Sequence, residues 1–524
     1  MEFATLAEGE KAAGEGGQAR PFQEAGGGRT GARAAPRLRP LDRQRRVPAP
    51  AEVDQLVPAD HSVRAIWAFV CRLDLTLWLD RIRAVAGKAG RPPWDPRIGI
   101  ALWVWGYAQG IGTAREISRR CRFDPTFQWL AGGEVVNYHT LSSFRVVGKE
   151  LLDDLFVNVL GVLTAEGLIT LERVMHDGMK VKASAGVDTF RSQERIELHL
   201  QEARRRIEAL DASRDPAVNA RQAAARRRAA RERVQKLEAA LQQFESLPQP
   251  APARRKQPRV SETAPEARIM KQSDGGFAPS LNAQISTDQA QGIVVAAEVT
   301  QDPGDSAQLL PAADRIEHNT ATKPKQMVAD GGFTNRENIL GMNAKGIDFI
   351  GSLTDYAAQS AGQLARQGIA PEYAPGAFTY DPTADRYLCP EGHPLRLESK
   401  EKRPGATCFQ YRAQATLCGV CPHRTACCPA NPSRGRAVSR VVEHPVVTAF
   451  AARMQTDEAR AIYKLRGQYA EFPNAWIKTK LGLRQFHVRG LLKSGMELLW
   501  VALTYNIQQW IRLRWRPELP AATV

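Results

Sequence analysis

A single carboxylate near the C-terminal end of the chain lies among cations and aromatic rings. Glu471 falls within Tyr463-Lys-Leu-Arg-Gly-Gln-Tyr-Ala-Glu-Phe-Pro-Asn-Ala-Trp-Ile-Lys478, whose basic side chains are Lys464, Arg466 and Lys478. One acid among several bases suits a site that meets a metal ion and a phosphate together. The same pattern also fits a surface helix with ion pairs, because charged residues four apart often pair on helices.

Two further acids accompany predicted strands. Asp177 lies in a strand-like run that we expect to end in a turn at the following glycine, and Asp330 follows the predicted strand 325–329. Because acids at the ends of neighbouring strands converge, Asp177 and Asp330 are expected to meet Glu471. Three converging carboxylates bind Mg²⁺ well. The expected reaction is therefore phosphodiester hydrolysis or transesterification, with metal ions that activate the attacking oxygen and stabilise the leaving one.

The order of predicted elements around these acids indicates an α/β fold. After the strand with Asp177 come strands at 281–286 and 293–299, a helix at 305–318, the strand that ends at Asp330, a helix at 334–345 and a strand at 347–353. Helical periodicity returns around Glu471. This order is that of a ribonuclease-H-like catalytic core.

Composition and charge divide the chain and indicate its partner. The 524 residues carry a formal net charge of +16, which favours an anionic partner. No apolar run approaches the ~20 residues that span a bilayer, so nucleic acid is favoured over a membrane. No secretion signal is recognised at the N-terminus, which predicts a reducing, cytoplasmic location.

The predicted domains follow from shifts in composition and periodicity. They are a disordered basic tail at 1–50, a helical N-terminal domain at 51–165, the first part of the core at 166–190 and 260–385, an antiparallel helical hairpin insertion at 191–247, a Cys-rich insertion at 386–436 and C-terminal helices with Glu471 at 437–515. In the helical domain, Thr113-Ala-Arg-Glu116 is a capping-box pattern and a helix is predicted from Tyr138 to Leu163. This domain is expected to bind DNA ends as a helix-turn-helix or, equally well, to serve in dimerisation.

The hairpin prediction depends on the spacing of apolar residues in each of its two helices. Apolar residues from Ile196 to Leu210 and from Ala230 to Phe244 step by four and three, which is typical of two helices that pair along a narrow seam. Arginines at 221–233 would face outward and contact DNA or a partner, and a charged spacer is the alternative.

Six of the eight cysteines fall between residues 389 and 428. The spacing Cys418-Gly-Val-Cys421 is typical of a zinc knuckle. The predicted ligands of a structural Zn²⁺ are Cys389, Cys418, Cys421 and Cys427. Free thiols in a β-rich segment are the alternative.

Together these stretches resemble bacterial insertion-sequence transposases of the Asp-Asp-Glu (DDE) class with a Tyr-Arg-Glu-Lys signature. The resemblance covers roughly residues 52–510 apart from the hairpin. Its carriers are Asp177-Gly-Met-Lys-Val-Lys-Ala-Ser-Ala, Leu281-Asn-Ala-Gln-Ile-Ser-Thr-Asp, Val328-Ala-Asp-Gly-Gly-Phe333, the stretch Tyr463–Lys478 and Phe486-His-Val-Arg-Gly490.

The resemblance implies an enzyme that binds the terminal inverted repeats of its own element and performs DNA cleavage and strand transfer with Mg²⁺ or Mn²⁺. The implied metal triad is Asp177, Asp330 and Glu471. The expected DNA-binding residues are Tyr463, Arg466, Lys478, Arg484, Arg489, Lys180 and Lys182. The implied partner is double-stranded DNA, both at the ends of the element and at the target site. The chain is also expected to form a homodimer or a larger complex on this DNA, in association with the nucleoid. The alternatives are a nuclease or resolvase on the same core and an inactive transposase-derived DNA-binding protein.

Overall fold

The computed structural model describes residues 37–45, 52–87, 90, 92–212, 219–247, 257–352, 362–429 and 434–516. Its N-terminal part is a layer of helices that share one apolar core with the central sheet. Helices α1 to α7 are Ser62–Val70, Thr76–Asp80, Pro96–Ala108, Ala114–Arg120, Pro125–Leu130, Tyr138–Arg145 and Lys149–Ala165. Short 3-10 turns lie at Val53–Leu56, Val187–Thr189, Pro371–Tyr373 and Pro375–Ala377.

Helix ends in this layer differ from the sequence prediction in two places. Helix α4 forms as predicted, but the Thr113 side chain makes no cap hydrogen bond. Glu116 instead pairs with Arg119 and Arg120 at 2.7 and 3.0 Å, so the capping-box prediction is wrong. The predicted helix from Tyr138 to Leu163 is two helices, because the chain leaves the helix after α6 and α7 begins beyond Gly148.

The middle of the chain forms a mixed sheet flanked by helices. Its strands are β1 (Arg173–Lys182), β4 (Arg268–Lys271), β5 (Phe277–Asp288), β6 (Ile293–Thr300), β7 (Gln326–Ala329) and β8 (Asp348–Gly351), and β2 (Phe190–Arg191) pairs separately with β3 (Val260–Ser261). The sheet order is β4-β5-β1-β7-β8, and β6 also pairs with β5. Strands β1, β7 and β8 are parallel, whereas β5 runs antiparallel to β1.

The register of β1 corrects one expectation about Asp177. The predicted turn at Gly178 is absent from this described strand, which continues to Lys182 and pairs with β5 from Val174↔Asp288 to Lys182↔Ser280. Asp177 therefore lies in the middle of the sheet rather than at a strand end.

Helices cover both faces of the sheet. Helices α10 (Leu309–Thr320) and α11 (Arg336–Lys345) follow β6 and β7. The long C-terminal helix α17 (Leu491–Leu513) packs on β6, α3 and α7. Its Asn506 side chain accepts a hydrogen bond from the Val294 N–H at 2.8 Å and donates one to the Val294 oxygen at 2.7 Å. In the described parts of the chain, no helix combines the length and apolarity needed to cross a membrane.

Two long helices lie between β2 and β3. Helices α8 (Gln193–Ala212) and α9 (Ala220–Ser246) run antiparallel, since Arg204 pairs with Glu238 near one end and Arg227 with Asp211 near the other. Their seam is apolar and contains Ile196, Leu200, Ala203, Leu237 and Ala240. Most of the predicted helix breaker at 211–216 lies outside the described residues.

A second, antiparallel sheet precedes the C-terminal helices. Its strands are β9 (Thr379–Asp381), β10 (Arg386–Leu388), β11 (Pro394–Arg403), β12 (Ala406–Ala413) and β13 (Ala437–Glu443). The helices beside and after it are α12 (Ala415–Gly419), α13 (Arg424–Cys427), α14 (Pro445–Met454), α15 (Asp457–Lys464) and α16 (Phe472–Thr479).

Part of the tail predicted to be disordered is packed against the helical layer. The Arg43 guanidinium lies over the rings of Trp67 and Trp129, 3.9 and 4.1 Å from their centroids. Burial lowers the pKa of Arg43 to about 10. Arg39 and Arg45 both pair with Glu134. The disorder prediction is therefore wrong for residues 37–45, because distant tryptophans supply contacts that the local composition does not reveal; the rest of the tail, up to residue 50, lies outside the described residues.

We expect Arg43→Ala to lower the free energy of unfolding by about 2 kcal/mol, because a desolvated cation over aromatic faces stabilises by roughly that amount. Chemical denaturation followed by tryptophan fluorescence measures this change. Arg45→Ala is the matched control, since the Arg45 side chain is 52% exposed and surface ion pairs contribute about 0–1 kcal/mol. Equal small effects of both variants would contradict a stabilising role for the Arg43 contact.

Candidate active site

Asp177 is held in place by its own strand and by α16. Its Oδ1 accepts a hydrogen bond from the Gly178 N–H at 3.0 Å, and its Oδ2 accepts one from Asn474 Nδ2 at 3.1 Å. The side chain is 16% exposed. One carboxylate of the predicted triad is thus fixed at the centre of the sheet with little access to water.

Asp330 lies beside it, in the turn that follows β7. Its Oδ1 accepts from the Gly332 N–H at 2.7 Å, and its backbone oxygen accepts from Thr334 Oγ1 at 3.1 Å. Burial raises the pKa of Asp177 to about 6, and the charge of Asp330 acts in the same direction, whereas the Arg466 guanidinium opposes it. Asp177 and Asp330 are therefore close enough for their charges to repel.

Glu471 lies at the end of a π-helical turn, Gly467–Glu471, that leads directly into α16. Pro473, two residues after Glu471, occupies the first turn of α16, where no backbone N–H is needed. A π turn inside a helix is frequent at functional sites.

Arg466 stands between Glu471 and Asp177. Its Nη2 lies 3.3 Å from Glu471 Oε1 and 4.0 Å from Asp177 Oδ1. The Glu471 side chain is 62% exposed. The structure thus brings Asp177 and Asp330 together and links Glu471 to them through a guanidinium. Among the described residues, no group of three or more His, Cys, Asp or Glu side chains is placed to hold a metal ion.

The donors around Asp177 nevertheless fit a hard divalent cation. Two repelling carboxylates are stabilised by a positive ion between them. Asn474 adds a further oxygen, because its buried Oδ1 has no hydrogen-bond partner. Carboxylate and amide oxygens are the ligands that Mg²⁺ prefers. Asp177, Asp330 and Asn474 are therefore the residues that would hold such an ion.

The predicted DNA-binding residues divide into a partly buried group and an exposed group. Burial lowers the pKa of Lys478, although the charge of nearby Asp177 raises it. Lys180 pairs with Asp305 at 3.0 Å. The Tyr463 ring packs against the sheet core, with the Arg466 guanidinium 5.8 Å from its centroid. Lys478 therefore lies near Asp177, whereas Lys180 and Tyr463 contact other protein groups rather than extend into solvent.

The exposed group borders the end of β1. The Lys182 N–H donates to the Arg484 backbone oxygen at 3.1 Å, and the Phe486 N–H donates to the Lys182 oxygen at 2.9 Å. Arg489 Nε donates to the Ser184 oxygen at 3.0 Å. Strand β1 and this loop thus place the exposed side chains of Lys182, Arg484 and Arg489 along one edge.

Two polar residues near the site were missed by the sequence analysis. Asn474 follows Glu471 in the same stretch, but only the π turn brings it to Asp177. Asp305 lies in the loop before α10 and accepts hydrogen bonds from Asn282 and Gln284 at 2.7 and 2.9 Å. The sequence analysis placed Asp305 at the start of a helix predicted at 305–318, whereas α10 begins at Leu309, so the position of Asp305 in a loop was not predicted.

The predicted zinc site is not supported. Cys389, Cys418, Cys421 and Cys427 line one small cavity, yet within the described ranges no such cluster has the arrangement of a metal site. Burial raises the pKa of the Cys427 thiol to about 12. The Cys389, Cys418 and Cys427 side chains pack instead on the apolar core of the second sheet.

Two family models match parts of this chain. One is described as a transposase DDE domain and matches residues 388–511, and the other is a transposase domain (DUF772) that matches residues 51–146. Glu471 lies inside the first match, whereas Asp177 and Asp330 lie outside both. The matches support a DDE-type transposase, and such families imply a DNA-cleaving enzyme that uses a divalent metal, usually Mg²⁺ or Mn²⁺.

A solved structure of a piggyBac transposase synaptic complex with hairpin DNA is similar to the chain at 8% sequence identity, over 89% of this chain and 82% of that chain. Its TM-score of 0.23 is too low to carry an argument about the fold. No curated protein matches the chain.

Proposed function

We propose that this chain, whose family matches support a DDE-type transposase, binds the inverted repeats of an insertion sequence and catalyses cleavage and strand transfer of the DNA. The observation that carries the proposal is the pair of carboxylates Asp177 and Asp330, whose charges repel, together with Glu471, which contacts the same Arg466 guanidinium as Asp177. The order and direction of β6, β5, β1, β7 and β8 support a ribonuclease-H-like core around this pair.

In this proposal the acids hold the metal and the cations hold the DNA. A bound divalent cation supplies activation of the attacking oxygen and stabilisation of the leaving oxygen. Asp177 and Asp330 would hold the ion, and Glu471, which is paired with Arg466 at 3.3 Å, would supply the third carboxylate. Asn474 keeps Asp177 in orientation through its 3.1 Å hydrogen bond.

The basic edge at the end of β1 positions the substrate. Lys182, Arg484 and Arg489 bind backbone phosphates by charge, which fixes the duplex without reading its sequence. Lys478 and Arg466 lie closer to the acids and would bind the phosphates next to the reacting bond. An element has two ends, so we propose that a homodimer or larger complex holds both on the nucleoid.

A cleavage assay tests this function. Purified protein is mixed with a labelled duplex that carries the inverted repeats flanking the gene, with Mg²⁺ or with EDTA. We expect cuts at the repeat ends and joined products only with Mg²⁺. Cuts without joined products would indicate a nuclease or resolvase instead, and binding without cuts would indicate an inactive DNA-binding protein.

We further propose that α8 and α9 add sequence-independent DNA contacts. The Arg221, Arg226, Arg228 and Arg231 side chains are exposed on α9, and the helices contact each other through a narrow seam. Such a hairpin can project from the core, because long surface segments cost little extra entropy.

Replacement of residues 192–247 by a short Gly/Ser linker is expected to leave the core folded and to weaken DNA binding most at low salt. The measurement is the slope of the logarithm of the binding constant against the logarithm of the salt concentration. A variant with Arg226, Arg228 and Arg231 changed to Ala keeps the seam and is expected to reduce the slope by about 2–3. An unchanged slope in both variants would show that the segment is a spacer.

A further inference from the structure

The loop between β6 and α10 contacts both of the segments that carry the paired aspartates. Asp305 lies in this loop, and its Oδ1 accepts from Lys180 Nζ at 3.0 Å, Asn282 Nδ2 at 2.7 Å and Gln284 Nε2 at 2.9 Å. Lys180 belongs to β1, three residues after Asp177. A single carboxylate oxygen thus ties the loop to β1 and β5.

The next residue ties the same loop to the turn that carries Asp330. The Ser306 backbone oxygen accepts from Asn335 Nδ2 at 2.8 Å and from Asn338 Nδ2 at 2.7 Å. Asn338 Nδ2 also donates to the Phe333 oxygen at 2.7 Å, at the end of the Asp330 turn. The connection from β1 to the Asp330 turn therefore passes through two consecutive residues, Asp305 and Ser306.

Glycines beside both aspartates leave room for this connection. A Cβ at Gly178 would lie 2.6 Å from Asp305 Oδ1 and 2.7 Å from Gln284 Nε2. A Cβ at Gly332 would lie 3.9 Å from the Asp305 Cβ. The backbone next to Asp177 thus approaches Asp305 so closely that a side chain at Gly178 would displace the Asp305 carboxylate, whereas Gly332 is in ordinary van der Waals reach of Asp305.

The buried His176 side chain contacts Gln284, which in turn donates to Asp305. Gln284 Oε1 lies 3.0 Å from His176 Nε2, and His176 Nδ1 lies 2.9 Å from Ser286 Oγ. His176 is 1% exposed. Since buried polar groups are costly unless they are bonded, this network fixes the Gln284 amide and hence the carboxylate that it contacts.

We propose that Asp305 is a positioning residue of the cation site, which holds the backbone of Asp177 and the turn of Asp330 at the separation that a shared divalent cation requires. The proposal rests on the proposed function, because it assumes that these two aspartates bind the ion. Residues that orient metal ligands typically change metal affinity by about 10- to 100-fold when they are removed.

Binding of Mn²⁺ to the full chain without DNA tests the proposal, with free Mn²⁺ followed by electron paramagnetic resonance. Asp305→Ala and Asp305→Asn are expected to weaken binding by about 10-fold or more. Gly178→Ala keeps the Asp305 residue but displaces its carboxylate, and the same direction of change is expected. Thermal unfolding of each variant is measured in parallel, so that loss of the fold is separated from loss of the site.

Two controls match these variants. Asp302→Ala removes an acid from the same loop, whose carboxylate accepts a hydrogen bond from Gln308 Nε2 at 3.0 Å, and Gly304→Ala adds a methyl group where no described residue lies within 4 Å. Both are expected to bind Mn²⁺ within about twofold of wild type, well below the change typical of a residue that orients a ligand. Folded Asp305 variants with wild-type affinity would overturn the positioning role. Wild-type protein that binds no Mn²⁺ would overturn the cation site itself, and with it the proposed function.

Discussion

Asp330→Asn and Asp177→Asn are expected to abolish metal-dependent DNA cleavage, with rates lowered by on the order of 10³ or more, because each removes a carboxylate that would hold the metal ion. Glu471→Gln is expected to lower cleavage as severely. The variants should differ without DNA, however, because Glu471 contacts Arg466 rather than the paired aspartates. We therefore expect Mn²⁺ binding to be lost in the two aspartate variants and largely kept in Glu471→Gln.

Cleavage of a labelled repeat end and Mn²⁺ binding of the free protein measure the two halves of this prediction. Asp314→Asn is the matched control, since Asp314 lies on α10 and pairs with Lys345 on the surface. DNA binding in EDTA should be unaffected in every variant. Near-normal cleavage by Asp330→Asn would reject the assignment of the triad.

Glu497→Ala is expected to destabilise the protein by about 3–5 kcal/mol, the cost of leaving a buried charge without its partner. Glu497 is fully buried on α17. Its Oε1 accepts from His487 Nδ1 at 2.7 Å and lies 3.6 Å from Arg145 Nη1, and its Oε2 accepts from the His487 N–H at 2.9 Å. Tyr107 donates to Oε1 at 3.3 Å. Removal of the carboxylate leaves the buried Arg145 and Tyr107 side chains without this acceptor in the core, whereas the His487 side chain is 33% exposed.

Equilibrium denaturation followed by tryptophan fluorescence measures this loss. Glu497→Gln keeps one acceptor and the size of the side chain, so a smaller loss is expected. Glu150→Ala is the matched control, since Glu150 is 89% exposed and pairs with Arg81 at the surface, where ion pairs contribute about 0–1 kcal/mol. A loss below about 1 kcal/mol for Glu497→Ala would show that Arg145 finds other partners.

The same cluster explains how distant parts of the sequence form one core. Tyr107 and Arg145 lie in the segment that matches one transposase model, and His487 and Glu497 lie in the segment that matches the other. The Arg145 guanidinium also donates to the Gly112 backbone oxygen at 2.7 Å, and a Cβ at Gly112 would collide with the His487 ring. The absence of a side chain at Gly112 therefore permits the close contact between the two segments.

Local signals in the sequence predict the elements that carry Asp177 and Asp330. Apolar and β-branched residues mark β1 and β7, and the glycines after Asp330 mark its turn. The length of β1 was underestimated, because Gly178 reads as a turn residue. In the structure, the missing side chain at Gly178 makes room for Asp305. Asp305 lies 127 positions later (305 − 178 = 127), and local sequence cannot reveal such a distant contact.

The position of Glu471 was harder to predict for a different reason. The extra residue in the π turn shifts the helical periodicity between Arg466 and Asn474, so the side chains that share a face cannot be read from a period of 3.6. Likewise, Arg43 lies in a segment whose composition is typical of disorder, and contacts with Trp67, Trp129 and Glu134 hold this segment in place. The obstacle is a local change of helical period for Glu471 and a set of non-local contacts for Arg43.

In the proposed function, the position of Arg466 would make the two ligands of the site, the metal ion and the DNA, interdependent. A guanidinium that neutralises Asp177 and Glu471 competes with any cation for the same oxygens, which weakens cation binding to the free protein. A DNA phosphate that draws Arg466 away removes this competitor and raises the affinity for the cation. Because coupling between two binding equilibria is reciprocal, the cation must strengthen phosphate binding by the same factor. The protein would thus assemble its reactive state chiefly when DNA and metal are present together.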